Sequence, residues 1–234
     1  MNDPRQRLIV ALDVSSSTAA QKIVAAVGES ALTYKVGMQL YTAEGPRVVR
    51  ELVASGRRVF LDLKYHDIPN TVARAVSEAA QLGASMLTVH AGGGGKMLRA
   101  AVEAAAAANP TLMVLGVTVL TSMDDSDLDK VGVRGRVVDQ VLRLAALSLA
   151  NGCHGVVASA REASELRSEL DHDFAIVTPG VRPAGGAGAD DQVRTVTPAE
   201  AIAAGASHIV VGRPITSAAD PAAEARAILG QISF

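Results

Sequence analysis

The residues best suited to chemistry lie in a short charged segment from Asp62 to Asp67, directly after the apolar run Val59-Phe60-Leu61. Such a run predicts a strand that enters a core. Because alternate side chains of a strand share a face, we expect Asp62 and Lys64 to project together. A buried charge is tolerated when it is paired or when it takes part in a reaction. The segment is therefore either a structural salt-bridge network or a reactive array.

Further charged residues stand where other predicted strands end. Asp13 closes the first apolar run and Lys35 lies near the end of the second. If these strands are neighbours, Asp13, Lys35, Asp62 and Lys64 form one array of alternating charge, with Asp67 beyond it on a loop. Each attraction is worth roughly 4 kcal/mol at about 4 Å and an effective dielectric near 20. That energy is enough to keep the lysines protonated and the aspartates ionised.

A candidate phosphate site follows the last apolar run, His208 to Val211. Gly212, Arg213 and Pro214 come next, and proline is favoured at the first position of a helix. The start of a helix offers free backbone N–H groups, and the Arg213 guanidinium can hold a phosphate through two hydrogen bonds. We therefore expect this corner to bind a phosphate group.

A glycine-rich segment from Ala184 to Gln192 follows the seventh apolar run. Arg182 and Gln192 could both reach an anion from it. The segment is either a mobile lid or a flexible surface loop. Its place in the chain, shortly before the predicted phosphate corner, favours the lid.

Three other features are interpreted as structural. His90 ends a predicted strand and could satisfy a backbone carbonyl or pack against a substrate. The run Gly92 to Gly95 lacks the spacing and the Lys-Ser/Thr ending of a nucleotide P-loop, so we do not expect ATP binding.

Cys153 precedes His154, but neighbouring strand residues point to opposite faces, which argues against a Cys-His nucleophile. The single cysteine cannot form an internal disulfide.

Composition sets limits on the class of protein. The chain has 234 residues, of which 49% are apolar, and these can form one large core in a single domain spanning residues 1–234. Its formal charge of −2, with acids and bases interspersed, gives no sign of nucleic-acid or anionic-membrane binding. The first apolar run, Leu8 to Leu12, is too short for a signal peptide or a membrane span. We expect a cytoplasmic protein.

Strand-length apolar runs alternate along the chain with alanine-rich segments of helical period. The predicted strands are Leu8 to Asp13, Thr33 to Gly37, Arg58 to Lys64, Ser85 to His90, Leu112 to Thr118, His154 to Ala158, Phe174 to Thr178 and His208 to Val211. The predicted helices include Thr18 to Val27, Ala43 to Ala54, Thr71 to Leu82, Lys96 to Ala108, Val137 to Ala150 and Ala160 to Leu170. Eight strand–helix units without a linker favour a closed (β/α)8 TIM barrel over an open doubly wound sheet. In such a barrel the charged residues above lie at the C-terminal face, where active sites form.

These residues resemble the bacterial orotidine 5′-phosphate decarboxylase family from about Leu8 to the C-terminal region. The most specific element is Asp62-x-Lys64-x-x-Asp67-Ile68-Pro69-Asn70-Thr71. The resemblance implies a cofactor-free and metal-free homodimeric enzyme that converts orotidine 5′-monophosphate to UMP and CO2. It implies substrate contacts at Asp13, Lys35, Thr121, Ser122, Arg182, Gln192, Gly212 and Arg213. It also implies that Asp67, Ile68 and Thr71 complete the site of the partner subunit.

The resemblance further implies a division of roles within the charged array. Lys64 would stabilise the carbanion at C6 and deliver the proton that replaces CO2. Asp62 would lie near the departing carboxylate, while Lys35 and Asp67 keep Lys64 charged and oriented. Asp13 and Lys35 would position the ribose hydroxyls. Either residue of the Thr121-Ser122 pair would contact the pyrimidine edge.

Two alternatives remain at this point. A sugar-phosphate decarboxylase or synthase of the same superfamily shares the Asp-x-Lys-x-x-Asp spacing but uses a divalent metal and an additional carboxylate. Lys35 at the second strand end, and the Ile68-to-Thr71 continuation, favour the metal-free branch. The other alternative is a catalytically silent barrel that binds a nucleotide phosphate, which fold alone does not exclude.

Overall fold

Eight parallel strands close into a barrel in the computed structural model, which describes residues 3–170, 173–183 and 196–232. Each strand pairs with the next along the chain, and β8 pairs with β1. The strands are β1 (Leu8–Ala11), β2 (Thr33–Gly37), β3 (Arg58–Tyr65), β4 (Met86–His90), β5 (Met113–Val117), β6 (Gly155–Val157), β7 (Ala175–Thr178) and β8 (His208–Val211). The expected (β/α)8 barrel is confirmed.

Helices connect the strands and cover the barrel. They are α1 (Ser17–Val27), α2 (Met38–Glu44), α3 (Arg47–Ala54), α4 (Pro69–Gln81), α5 (Gly95–Ala108), α6 (Asp125–Lys130), α7 (Val137–Ala150), α8 (Ala160–Glu169), α9 (Pro198–Ala203), α10 (Arg213–Thr216) and α11 (Pro221–Ile232). Short 3-10 helices lie at Pro4–Gln6, Gly28–Ser30 and Ala91–Gly93. Within the described ranges, none of the helices has the length and apolar character needed to cross a membrane.

The prediction of one helix from Ala43 to Ala54 is wrong, because two helices occupy this region. The first, α2, begins at Met38 and ends at Glu44. It is capped by Gly45, whose φ of 64° lies in the left-handed region that glycine tolerates. Pro46 follows and has no N–H for a continuing helix, so α3 starts anew at Arg47.

The interior of the barrel is filled by side chains from alternate positions of the strands. One cluster of buried residues consists of Ile9, Ala11, Phe60, Met86, Leu115, Val177 and Val210. Intervening residues such as Leu8 and Val10 belong to a larger cluster that packs against the helices. Because of this two-residue period, one set of alternate side chains fills the barrel interior and forms an apolar layer, here called the floor of the barrel. Polar side chains at the C-terminal ends of the strands stand above that floor.

Candidate active site

A cavity of about 570 Å³ opens at the C-terminal end of the barrel, a volume suited to a small-molecule ligand. Most of the site residues predicted from the sequence line it. These are Asp13, Lys35, Asp62, Lys64, Thr121, Arg182, Gly212 and Arg213. Residues that lie nearly 200 positions apart in the chain therefore meet in one place, because the closed sheet brings β8 beside β1.

The four charged residues of the predicted array are in contact. Lys64 Nζ donates hydrogen bonds to both carboxylate oxygens of Asp62, each at 2.9 Å. Lys35 Nζ donates to Asp13 Oδ1 at 2.9 Å and lies 3.9 Å from Asp62 Oδ2. The side chains of Lys35 and Asp62 are each 13% exposed, whereas that of Asp13 is 60% exposed. The attraction is therefore least screened at the Asp62 end of the array.

An irregularity in β3 places Asp62 and Lys64 on the same side. Leu61 pairs with Leu87 and Tyr65 with Val89, so β3 advances four residues while β4 advances two. Lys64 sits in this bulge with a φ of 52°, a left-handed conformation that is rare for a residue with a side chain. The two charges do project together, but regular strand alternation is not the whole cause.

The hydroxyl group of Thr88 on β4 bridges the two ends of this bulge. It accepts a hydrogen bond from the Lys64 backbone N–H at 2.9 Å and donates one to Asp62 Oδ1 at 3.0 Å. Thr88 is fully buried. Asp62 thus accepts hydrogen bonds from both a lysine ammonium and a hydroxyl, which fix the position of its carboxylate.

Apolar side chains form the wall beside the charged array. Phe60, Val117, Val157 and Val210 line the same cavity as Asp62 and Lys64. Charges that face a wall with few polar groups interact more strongly than they would in water. The cavity therefore offers a fixed ammonium group and a fixed carboxylate beside an apolar surface.

The corner predicted to bind phosphate also lies at this cavity. Gly212 precedes α10, and Pro214 occupies its first turn as expected, although α10 has only four residues. Arg213 and Thr216 line the cavity here together with Gly212. A guanidinium, a hydroxyl and a glycine that lets a ligand approach the backbone are together suited to an anion.

Arg182 lines the cavity after β7. Its backbone N–H donates to the carbonyl of Val196 at 2.9 Å, and Val181 forms a parallel bridge with Val196. The segment predicted as a lid, Ala184 to Gln192, lies outside the described residues, and so does the predicted contact Gln192.

Of the predicted site residues that the structure describes, four are not among those that line the cavity of their own chain. Asp67 and Ile68 lie on the exposed turn after β3, where the Ile68 N–H donates to Asp67 Oδ1 at 2.6 Å. Thr71 is exposed in the first turn of α4, and Ser122 is exposed beside Thr121. The Ile68 residue is 66% exposed, which is high for a large apolar side chain.

His90 also lies outside the cavity lining. Its ring stacks on that of His66 with the ring centroids 5.2 Å apart. Burial lowers the pKa of His90, and the nearby His66 and Lys64 lower it further. This environment agrees with a structural role for the neutral imidazole.

Cys153 is buried and is not suited to nucleophilic chemistry. Burial raises the pKa of the Cys153 thiol to about 12, which disfavours the nucleophilic thiolate. In residues 3–170, 173–183 and 196–232, no group of three or more His, Cys, Asp or Glu side chains is arranged to hold a metal ion.

Sequence reasoning did not identify several residues of the site. Thr88 stands two residues before His90 on the same strand, and Phe60 stands two before Asp62, so the period of a strand could have placed both on the interior face. Gln39 also lines the cavity and donates to Ser15 Oγ at 2.8 Å. Gln39 lies in α2, whose start was not predicted.

Comparisons with known proteins agree with the geometry. Residues 6–228 match the model of the orotidine 5′-phosphate decarboxylase/HUMPS family. An orotidine 5′-phosphate decarboxylase from Halorhodospira halophila is 51% identical over 97% of this chain and 96% of its own length. One from Hydrogenovibrio crunogenus is 49% identical over 94% of this chain and 93% of its own length. The crystal structure of orotidine 5′-phosphate decarboxylase from Lactobacillus acidophilus superposes with a TM-score of 0.88 and 39% identity, covering 97% of this chain and 99% of that one.

Proposed function

The chain belongs to the orotidine 5′-phosphate decarboxylase/HUMPS family, and from this we propose that it converts orotidine 5′-monophosphate to UMP and CO2 in pyrimidine nucleotide synthesis. The observation that carries the proposal is the contact between Lys64 Nζ and Asp62 inside the barrel-end cavity. In the reaction, the bond between C6 and the carboxylate breaks and leaves its electron pair on C6. A proton then takes the place of CO2.

The proposed role of Lys64 follows from where that electron pair lies. The pair is in the plane of the pyrimidine ring, so the π system cannot delocalise it. A fixed positive charge beside C6 can stabilise it, and an ammonium group can also supply the proton. Lys64 is suited to both tasks because its side chain is only 25% exposed and is held by Asp62.

Asp62 is proposed to lie near the substrate carboxylate. Two like charges repel in the bound substrate, and the repulsion fades as neutral CO2 forms. The side chain of Asp62 is 13% exposed and accepts bonds from Lys64 and Thr88, so this carboxylate is held in place. A held charge cannot swing away from the substrate to relieve the repulsion.

The other cavity residues are proposed to hold the nucleotide. Asp13 and Lys35 would position the ribose hydroxyls, and Thr121 would contact the pyrimidine edge. Arg182, Gln192, Gly212 and Arg213 would bind the phosphate. Their support is that all of them except Gln192, which lies outside the described residues, line one cavity.

The assembly is proposed to be a cytoplasmic homodimer in which Asp67, Ile68 and Thr71 complete the partner's site. These residues are exposed and lie in one stretch of chain at the C-terminal end of β3. Ile68 would bury its apolar side chain in such an interface. Asp67 would then approach Lys64 of the other subunit and help to keep it charged.

The test is to follow the loss of orotate absorbance from orotidine 5′-monophosphate in the presence of excess EDTA. We expect rapid turnover by the wild-type protein and by Lys22→Ala, which removes an exposed lysine of α1. We expect almost none from Lys64→Ala, although this variant should still bind UMP. Turnover that requires Mg²⁺ would instead indicate a metal-dependent sugar-phosphate enzyme, and UMP binding without turnover would indicate a silent nucleotide-binding barrel.

A further inference from the structure

Thr88 occupies an unusual position relative to the reacting groups. It is fully buried in β4, and its single hydroxyl group is bonded to both functional residues of β3. The oxygen accepts from the Lys64 backbone N–H at 2.9 Å, and its proton is donated to Asp62 Oδ1 at 3.0 Å. An ionised carboxylate can only accept, so this direction of the second bond is fixed.

The bulge explains why a side chain is needed there. Between the pairs Leu61–Leu87 and Tyr65–Val89 the regular ladder of backbone hydrogen bonds is interrupted. The Lys64 N–H consequently bonds to the Thr88 hydroxyl. Lys64 also has a φ of 52°, which a residue with a side chain adopts only when its surroundings hold it there.

We propose that Thr88 is a positioning residue, which fixes the Lys64 ammonium and the Asp62 carboxylate relative to one another and to the substrate. The inference rests on the proposed decarboxylation. Thr88 is not among the residues that line the cavity, so it acts through Lys64 and Asp62 rather than through the ligand. Removing its hydroxyl leaves a backbone donor without its partner and removes one of the donors to Asp62, so the bulge relaxes.

The inference predicts a loss in the chemical step with little change in ligand affinity. Displacement of a catalytic group by a fraction of an ångström to 1 Å costs up to about 100-fold in rate. We therefore expect Thr88→Val, which preserves shape and strand propensity, to lower kcat on orotidine 5′-monophosphate by about 10- to 100-fold. The Kd for UMP should change by less than about threefold, since the phosphate and ribose contacts lie on other strands.

Thr88→Ser keeps the hydroxyl and should restore most of the activity.

Thr33→Val is the matched control. Thr33 is also a fully buried threonine of the barrel, but its hydroxyl has no hydrogen-bond partner among the described residues. It lies at the start of β2 and pairs with Arg58 at the start of β3, whereas the bulge lies near the end of β3. We expect this variant to retain the kcat of the wild type. Equal losses in Thr88→Val and Thr33→Val would mean that any buried hydroxyl matters to the barrel, and the proposal would be overturned.

Hydrogen exchange at the Lys64 amide gives a readout that does not depend on turnover. We expect this amide to exchange faster in Thr88→Val than in the wild type and in Thr88→Ser. A wild-type kcat in Thr88→Val, or a loss that Thr88→Ser does not reverse, would overturn the positioning role. Absence of turnover in the wild-type protein itself would refute the proposed function and the catalytic part of this inference together, and the wild-type assay separates that outcome from the others.

Discussion

Lys64, the residue proposed to stabilise and protonate C6, has an unfavourable backbone conformation. Among the described residues it is the one non-glycine residue with a positive φ, and the left-handed region costs such a residue about 1–2 kcal/mol. Strained residues of this kind concentrate at functional sites, where the surroundings over-determine them. Here the surroundings are the Asp62 carboxylate and the Thr88 hydroxyl. The unfavourable backbone conformation of Lys64 is thus held by the same contacts that position its ammonium group.

Arg213 should contribute to catalysis from a distance. Energy from binding a remote phosphate can be used to reach the transition state at C6. We expect Arg213→Ala to lower kcat/KM on orotidine 5′-monophosphate by about 100-fold, which corresponds to about 2.7 kcal/mol. On orotidine, which lacks the phosphate, the same substitution should change kcat/KM by less than about threefold. Steady-state kinetics on both substrates measure the difference.

Arg226→Ala is the control for this comparison, since it removes an exposed arginine of α11 that does not line the cavity. It should leave both substrates unaffected. Equal losses on orotidine and on its phosphate ester in Arg213→Ala would show that Arg213 supports the fold or the pyrimidine end of the site rather than the phosphate.

The strands were predictable from the sequence to within one or two residues, because each is a short apolar run bounded by helix ends and turn residues. The β3 bulge was not predictable, since Asp62, Leu63 and Lys64 alternate as a regular strand would. Register against a neighbouring strand is a property of two segments that are distant in sequence. The short helix α6 was also missed, although Asp124 and Asp127 form a capping box at its start.

The start of β8 should make stability depend on pH. Burial, together with the nearby positive charges of Arg58 and Arg7, lowers the pKa of His208 to about 4. The unfolded chain binds a proton at this histidine below about pH 6.5, whereas the folded chain does so only near pH 4. The folded state should therefore lose up to about 3 kcal/mol from this group as the pH falls from 6.5 to 4.

His208→Gln isolates this contribution from that of the carboxylates, which titrate in both proteins. We expect the free energy of unfolding in denaturant to fall less steeply for the variant than for the wild type between pH 6.5 and 4. Above about pH 7 the difference between the two should be constant. Parallel curves across the whole range would show that His208 binds its proton at the same pH in the folded and in the unfolded chain.

Closure of the barrel determines which residues meet. Asp13, at the end of the first strand, and Arg213, after the last, line one cavity because β1 pairs with β8. Counting eight strand–helix units was sufficient to predict this meeting, since strand ends of a closed parallel barrel share one face. Asp67 and Ile68 lie on the exposed turn after β3 and do not line this cavity, so closure of the barrel does not account for their predicted role.

The dimer proposal predicts that two inactive variants can complement one another. Lys64→Ala and Asp67→Ala chains carrying different affinity tags are co-expressed, and the mixed dimers are purified. If Asp67 serves the partner's site, each mixed dimer holds one site with both residues intact. Such dimers should show about half the activity of the wild-type dimer.

Mixed dimers of Lys64→Ala and Lys35→Ala are the control, because both residues line the cavity of their own chain. Neither of their sites is intact, so no activity should return. If the Lys64→Ala and Asp67→Ala pair is equally inactive, Asp67 acts within its own subunit and the shared-site proposal is wrong.

The bridge between Val181 and Val196 has a consequence for how this protein could evolve. The bridge joins the two ends of the chain segment that runs from Val181 to Val196. The positions of β7 and α9 therefore do not depend on the length of that segment. Loop-closure entropy grows slowly, and doubling the number of residues between two fixed ends costs only about 0.6 kcal/mol. Insertions and substitutions between Val181 and Val196 should therefore cost the barrel little stability. New ligand preferences could arise there by variation of one segment, while the charged array and the strands that hold it stay unchanged.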